Sequence, residues 1–530
     1  MTVNNNRTIS FVKIASSFCL LIVTSGHLLA QPAGGTKQGV IVTATAPVAP
    51  LLKGIDNNAV LCVKVYVPAG RKAIAINALA VTLNKSALQT IESLNVHYNG
   101  NEPAFNNQQP VTRMEPSAVQ TSIPVHINAL TGWNYIWLSA RLKPQANISL
   151  KPEIRIVRVH TAQETFSVKE ESKSFAKYIG VALRKAWDDS VHTYRIPGLA
   201  TTGKGTLIAV YDIRYKHAGD LPANIDVGMN RSTDGGRTWS PMKIIMDMGA
   251  PHENNGVGDP AVLFDPVTNK IWVAALWSKG NRSIAGSMPG LSPDTTGQLV
   301  LVSSEDDGLT WTAPVSITQQ VKNPIWHLYF NGPGSGIAMQ NGTLVFASQC
   351  WDESKKPGIP HSSIIYSTDH GITWHSGTGA KSNTTESQVV ETTPGTLMLN
   401  MRDNRGNFRS VATTTDMGQT WVEHPTSYNA LPDPVCMAAL IKAPALVGGK
   451  KQEVLFFSNV ASQQARMNMT IKASADLGNS WQPARSLLLD ERKGYGYSTL
   501  TRIDDQTIGI LYEGVRDLYF LRIPITDIIR

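Results

Sequence analysis

Between residues 190 and 222 the chain carries two arginines and an aspartate in close succession. Arg195 stands in Thr193-Tyr-Arg-Ile-Pro197, Arg214 follows 19 residues later in Tyr211-Asp-Ile-Arg214, and Asp220 follows 6 residues after that in Ala218-Gly-Asp220. A guanidinium is planar and permanently charged, so it can grip a carboxylate through paired, charge-assisted hydrogen bonds. An aspartate on an irregular loop, here Lys216-His-Ala-Gly-Asp-Leu-Pro222 with its Gly and Pro, can pass a proton to and from a reacting group. Each residue alone also has an ordinary reading, a solvent-facing arginine or a turn aspartate.

The arrangement, with the Tyr-Arg-Ile-Pro stretch, resembles the bacterial exo-sialidases (neuraminidases) of the Asp-box type, and the resemblance runs from about Val191 to the C-terminus. It implies a substrate ending in sialic acid, a sugar with a carboxylate on its anomeric carbon, clamped by three arginines. By motif these are Arg195, Arg402 in Leu399-Asn-Met-Arg-Asp403, and Arg466 in Ala465-Arg-Met-Asn468. Asp220 matches the family's acid/base carboxylate. Glu386, opening Glu-Ser-Gln-Val-Val-Glu391, matches the catalytic glutamate better than its competitor Glu391. Tyr497, in Gly496-Tyr-Ser-Thr-Leu500, matches the tyrosine nucleophile. Tyr495 would share its strand face, so alternation does not separate the two, and the Gly-Tyr-Ser context selects Tyr497. Glu513 in Leu511-Tyr-Glu-Gly514 resembles the acid that steadies the first arginine. Asp259 in Gly256-Val-Gly-Asp-Pro260 resembles the acid at the sugar's 4-hydroxyl, with Arg214 beside it. Trp277, Trp326 and Trp351 are candidates for an apolar N-acetyl pocket.

A tyrosine nucleophile suits such a substrate. A carboxylate nucleophile would approach the substrate's own carboxylate, whereas a neutral phenol, with an ordinary pKa near 10, attacks only as a base such as Glu386 takes its proton. The expected activity is retaining exo-α-sialidase, acting on sialylated glycoproteins, gangliosides and oligosaccharides, with no metal or organic cofactor implied. A sialoglycan-binding protein without turnover would need only the arginines. A propeller with another task would explain the repeats described next but not the arginines, and a trans-sialidase would use the same residues with a sugar as acceptor.

The elements that must position these side chains are announced by an octet, Ser232-Thr-Asp-Gly-Gly-Arg-Thr-Trp239, with copies ending at Trp311, Trp374, Trp421 and Trp481. In each, the Asp can accept backbone amides further along the turn, the Gly can take positive φ and the hydroxyl can pin the turn. Strand-like runs such as Gln298–Ser303 precede the octets, which reads as one hairpin per copy. The aspartates Asp234, Asp306, Asp369, Asp416 and Asp476 recur at intervals of 72, 63, 47 and 60 residues, a period of about 60 that suits a four-stranded propeller blade with loops. The expected fold is therefore all-β: a six-bladed β-propeller over 181–530, whose sixth blade lacks an octet and borrows a strand from the start of the propeller.

Residues 31–165 carry alternating apolar runs without an octet, which reads as a smaller β-sandwich, carbohydrate-binding-like or accessory. Trp133, Tyr135 and Trp137 share one face there, and packing is the simpler use for them than sugar stacking. Residues 166–180 read as a linker. Residues 1–30 hold Arg7, Lys13 and an apolar run ending at Ala30, the pattern of a cleaved secretory signal, so a secreted, periplasmic or cell-surface protein is expected with no integral span in the mature chain. The formal charge of +8 falls to about +6 without that segment, and no basic block with interleaved aromatics suggests nucleic acid. Cys62, Cys350 and Cys436 are too few and too scattered for a disulfide framework.

Overall fold

The computed structural model describes residues 39–107, 109–352 and 358–529, so the segment read as a secretory signal lies outside the described residues. Two sheets make the sandwich. One runs in the order Lys169–Glu170, Ile41–Thr45, Asn58–Val67, Gly132–Leu142, Ile91–Tyr98, Thr112–Met114; the other runs Thr165–Ser167, Ile154–Thr161, Ile74–Leu83, Gln120–Ala129. Alternation, as in Gln120–Ala129, turns Ile123, Val125 and Ile127 inward and the intervening Pro124 and His126 outward. Trp133 and Trp137 lie on the outer face of the first sheet, where they pack on Tyr66 and Phe105. The stretch read as a linker is partly paired at its ends: Thr165–Ser167 and Lys169–Glu170 add a strand to each sandwich sheet, and Ile179 opens a propeller strand.

Six antiparallel blades follow, with first strands that neighbour one another around the centre: Thr193–Thr201, Asn255–Asp265, Leu328–Asn331, Thr384–Thr393, Ala439–Val447 and Ser498–Asp504. The sixth blade is Ser498–Asp504, Thr507–Glu513, Leu518–Pro524, and then Ile179–Arg184 from the start of the propeller, which pairs Gly180 with Leu521. This closes the ring with first and last strands in one sheet. A fifth strand, Leu51–Lys53, comes from the sandwich region and lies parallel to Ile179–Val181; three residues amid proline and turn signals gave no sign of it in the sequence.

The octets close the third strand of the first five blades in a fixed local network. Ser232 donates to Asp234 at 2.8 Å and accepts from the Gly236 amide, while Asp234 accepts from the Thr238 amide at 3.0 Å and the Thr238 hydroxyl at 2.6 Å. The same bonds recur around Asp306, Asp369, Asp416 and Asp476. The glycine is obligatory for two reasons at Gly371: φ is +92°, and a Cβ would stand 2.3 Å from the Trp272 ring. The tryptophans then seal blades together: Trp239 meets Phe520 of the sixth blade at 5.1 Å, and Trp374, 1% exposed, meets Trp272 of the second blade at 6.0 Å. First strands start on one face of the ring and third strands end on the other, so the octets sit opposite the end where Arg195 and Glu386 lie.

The Thr373 hydroxyl and amide pull the Asp369 carboxyl down to about 2. Its folded value is below the unfolded one, so the contribution to stability is complete above the ordinary carboxylate range and is lost as pH falls toward 2. Asp369→Ala should lower Tm at neutral pH while leaving kcat/KM per folded molecule intact, and the Tm gap to wild type should close on acidification; calorimetry across pH checks this. Trp374→Ala should cost about 3–5 kcal/mol by urea unfolding.

Candidate active site

The site is built where strand ends, bulges and loops of all six blades converge. Arg195 lies early in Thr193–Thr201, where the register shifts between Arg195 and Gly198 and Ile196 takes φ +57°. Comparable shifts fall between Gly258 and Ala261, beside Asp259, and between Thr384 and Ser387, beside Glu386. A bulge re-aims the side chain at the extra residue, and these three turn charged groups toward the mouth of the ring.

At the centre stands Tyr497, 5% exposed, immediately ahead of Ser498–Asp504. Its hydroxyl lies 2.5 and 2.6 Å from the two Glu386 carboxylate oxygens. Arg402 Nη1 donates to Glu386 at 2.5 Å and to the Tyr497 oxygen at 2.8 Å. The guanidinium carbons of Arg195 and Arg466 stand 5.1 and 5.6 Å from the Tyr497 ring centroid. Burial and the Glu386 carboxylate drive the phenol well above its ordinary pKa, against the opposing pull of Arg402 and Arg195, so Tyr497 rests as a neutral phenol. Arg466 is held at the other end of the cluster, its Nη1 on the Tyr495 carbonyl at 3.0 Å and its Nη2 on the Val435 carbonyl at 3.1 Å.

The alternatives that the sequence left open stand elsewhere. Tyr495 places its ring under Arg195 at 4.9 Å and gives its carbonyl to Arg466. Glu391 accepts the Gln340 and Gly395 amides, each at 2.9 Å, at the far end of the strand from Glu386. Glu513, with a fully buried side chain, accepts Arg195 Nε at 3.0 Å, the Ile196 amide at 2.9 Å and the Tyr497 amide at 2.9 Å.

Asp220 lies on an irregular loop with a largely exposed side chain, held by Arg214 Nη1 at 2.6 Å and facing Arg195 Nη1 at 3.5 Å. Desolvation pushes its carboxyl up, but Arg214 and Arg195 outweigh it and keep Asp220 below the usual carboxylate range. Behind Arg214 stands Asp212, which the sequence analysis did not single out. Fully buried, it accepts Arg214 Nε at 3.1 Å and Nη2 at 2.8 Å with one oxygen and the Asp259 amide at 2.9 Å with the other. A Cβ on Gly258 would meet this carboxylate at 3.0 Å. Burial lifts Asp212 to about 6 despite Arg214. Burial, then the Asp212 charge, lifts Asp259 well above the ordinary range.

Between these groups lies a cavity of about 410 Å³ lined by Asp220, Asp259, Glu386, Arg402 and Tyr497 on its polar side and by Leu221, Leu276, Phe330 and Trp351 on its apolar side. Leu276 and Phe330 are buried and cluster with Leu221 and Trp351. Of the three tryptophans considered, only Trp351 lines the cavity: Trp277 donates to Asn255, and Trp326 stacks on Tyr329. The apolar wall carries no sequence motif, because isolated strand residues reach it from separate blades.

Comparison with known proteins bears on this geometry. Residues 205–511 match the BNR repeat-like domain and 39–165 match the N-terminal domain of BNR-repeat neuraminidase. A sialidase of Bacteroides fragilis (strain YCH46) is 46% identical over 409 residues, covering 75% of this chain and 74% of its own length. The chain belongs to the BNR-repeat sialidase family. As a member of that family it is a glycoside hydrolase of the exo-α-sialidase type. The Micromonospora viridifaciens sialidase is 34% identical over 327 residues, 60% of this chain and 50% of the longer relative. Among solved structures, the Hadza microbial sialidase Hz136 superposes with a TM-score of 0.85 at 39% identity, over 92% of this chain and all of that one. The sialidase fold is thus shared along nearly the whole described length, sandwich included.

Within this sialidase, removing Glu513 would leave Arg195 buried without its counter-charge. Glu513→Ala should therefore destabilise the protein by about 3–5 kcal/mol in urea unfolding. A loss below 1 kcal/mol would mean that Arg195 relaxes into solvent.

Proposed function

We propose that the protein is a retaining exo-α-sialidase that releases terminal sialic acid from glycoproteins, glycolipids and oligosaccharides through a tyrosine-linked intermediate. The observation that carries this reading is the Tyr497 hydroxyl within 2.6 Å of both Glu386 oxygens, inside a ring of three arginines. Arg195, Arg402 and Arg466 would receive the substrate carboxylate; among the described residues, nothing accepts a hydrogen bond from the buried Arg402 Nε. Leu276, Phe330 and Trp351 offer an apolar wall for the N-acetyl group, and Asp259, its carboxyl raised above the ordinary range, a hydrogen-bonding partner for a ring hydroxyl.

In the first half-reaction Glu386 takes the phenol proton as the Tyr497 oxygen bonds to the anomeric carbon. The glycosidic C–O bond breaks, and Asp220 delivers a proton to the departing oxygen so that the aglycone leaves as an alcohol. In the second, Asp220 takes a proton from water, the water oxygen bonds to the anomeric carbon, and the Tyr497 oxygen leaves and recovers its proton from Glu386. The neighbouring arginines stabilise charge that develops on the phenol oxygen and on the substrate.

Asp220 must be protonated in the first step, yet Arg214 and Arg195 hold its carboxyl low in the free enzyme. A substrate carboxylate bound at Arg195 would offset one of those charges and let the Asp220 pKa rise. The alkaline limb governed by Asp220 should then lie at higher pH in kcat than in kcat/KM. Coincident limbs in the two profiles would argue against this coupling.

Purified protein should release free sialic acid from sialyllactose, and Tyr497→Phe should lose at least about 100-fold in kcat while Tyr495→Phe keeps the Glu386 pair intact. Equal losses in both variants would remove Tyr497 from the nucleophile's role, and sialyl transfer to added lactose in place of free sugar would mark the protein as a trans-sialidase. Export is part of the proposal: the protein should reach the periplasm, cell surface or medium only when residues 1–30 are present.

A further inference from the structure

We propose that Trp187 is a stacking platform for the sugar that carries the sialic acid, a neutral pyranose that leaves when the glycosidic bond is cut. The proposal rests on the exo-sialidase reading. Trp187 is 62% exposed, and it is the one tryptophan among the described residues that is mostly in solvent. An exposed indole is a flat apolar surface with a polar N–H at its edge, a shape that can stack on a ligand ring.

The ring is held in place despite its exposure. The Arg516 guanidinium lies over it at 5.2 Å from the centroid, and His192 meets it edge-on at 5.1 Å. Arg516 is itself fixed by donating to the His192 carbonyl at 3.0 and 2.7 Å. The loop that presents the indole is strained: Trp187, Asp189 and Ser190 take φ of 74°, 50° and 61°, a region that side chains other than glycine avoid. Such conformations persist where the surroundings over-determine them, and they gather at ligand clamps. Here the Ala186 amide is tied to Asp517 at 2.7 Å and the Trp187 amide to the Val191 carbonyl.

Position decides which ligand would meet this face. The His192 amide donates to the Tyr215 carbonyl, next to Arg214, and the Tyr194 amide donates to the Arg516 carbonyl, next to Arg195 in sequence. Since an extended residue advances about 3.3 Å, His192 lies within about 10 Å of Arg195 along the chain. Arg195 and Arg214 are the two groups that hold Asp220. The oxygen that Asp220 protonates joins sialic acid to the next sugar, so that sugar emerges on the Asp220 side of the cavity, beside the Trp187 loop. Val515, 55% exposed and next to Arg516, extends the apolar rim. A pyranose has an apolar C–H face to lay on an indole and hydroxyls at its edge for water, and the guanidinium behind the ring keeps the platform flat and oriented.

Kinetics on two substrates test the assignment in the full-length chain: sialyllactose, whose aglycone is a sugar, and methyl α-sialoside, whose aglycone has no ring. Trp187→Ala should raise KM for sialyllactose roughly five- to tenfold with kcat within about twofold. Trp187→Phe should recover most of that loss, and methyl α-sialoside should change by less than about twofold in either variant. A loss of equal size on both substrates would overturn the subsite by making Trp187 structural, and so would no loss on sialyllactose. If the wild-type protein frees sialic acid from neither substrate, the exo-sialidase reading itself fails and the subsite falls with it.

Discussion

One buried carboxylate ties the fold to its chemistry. Glu513 ends the second strand of the sixth blade and accepts donors from two blades at once: the Arg195 guanidinium and Ile196 amide of the first, and the Tyr497 amide at the head of the sixth. The ring closes at this junction, so the bond that completes the architecture also sets the distance between an arginine and the tyrosine. A buried ion pair is costly to assemble and more costly to break. That asymmetry favours one arrangement of the two blades over any slipped alternative. The Arg195 charge, desolvated as it is, stays in the site because Glu513 balances it.

The remaining charges form two opposed groups. Arg195, Arg214, Arg402 and Arg466 supply positive potential, while Asp212, Asp220, Asp259 and Glu386 sit among them at different depths. Depth separates their behaviour. Asp259, beside Asp212, is raised above the ordinary carboxylate range; Asp220, on an exposed loop between two arginines, is held below it. Two carboxyls of one chemical type are thereby pushed apart in pKa, the condition under which one can donate to a hydroxyl while another cycles a proton. Asp212 contributes to both, since it fixes Arg214 from behind and holds the Asp259 backbone in a left-handed turn.

The sequence made legible what is local. Each octet encodes its own turn through hydrogen bonds within five residues, so blade number and the all-β class could be read directly from spacing. Arg195, Arg402 and Glu386 sit in strand stretches long enough to carry motifs. What escaped depended on contacts between distant segments. Alternation could not separate Tyr495 from Tyr497, because both sit on one side of an irregular stretch and only the position of Glu386, 111 residues away, distinguishes their hydroxyls. Asp212, Leu276 and Phe330 were not singled out, because nothing nearby in the sequence says that the site lies beside them. The start of the stretch read as a linker pairs with the sandwich sheets, Phe166 on one and Lys169–Glu170 on the other, through contacts with distant strands that its own residues do not announce.

The short strand Leu51–Lys53 changes what the two-domain description means. It covers the outer edge of Ile179–Arg184, whose far side pairs with Leu518–Pro524, so the sandwich region supplies the propeller's last hydrogen-bonding partner. Asn58 locks that strand by taking the Leu52 amide on its side-chain oxygen and giving its own amide to the Leu52 and Ala140 carbonyls. An uncovered edge of this kind is a template for pairing with other chains. The N-terminal region therefore hems the outer edge of the ring's sixth blade.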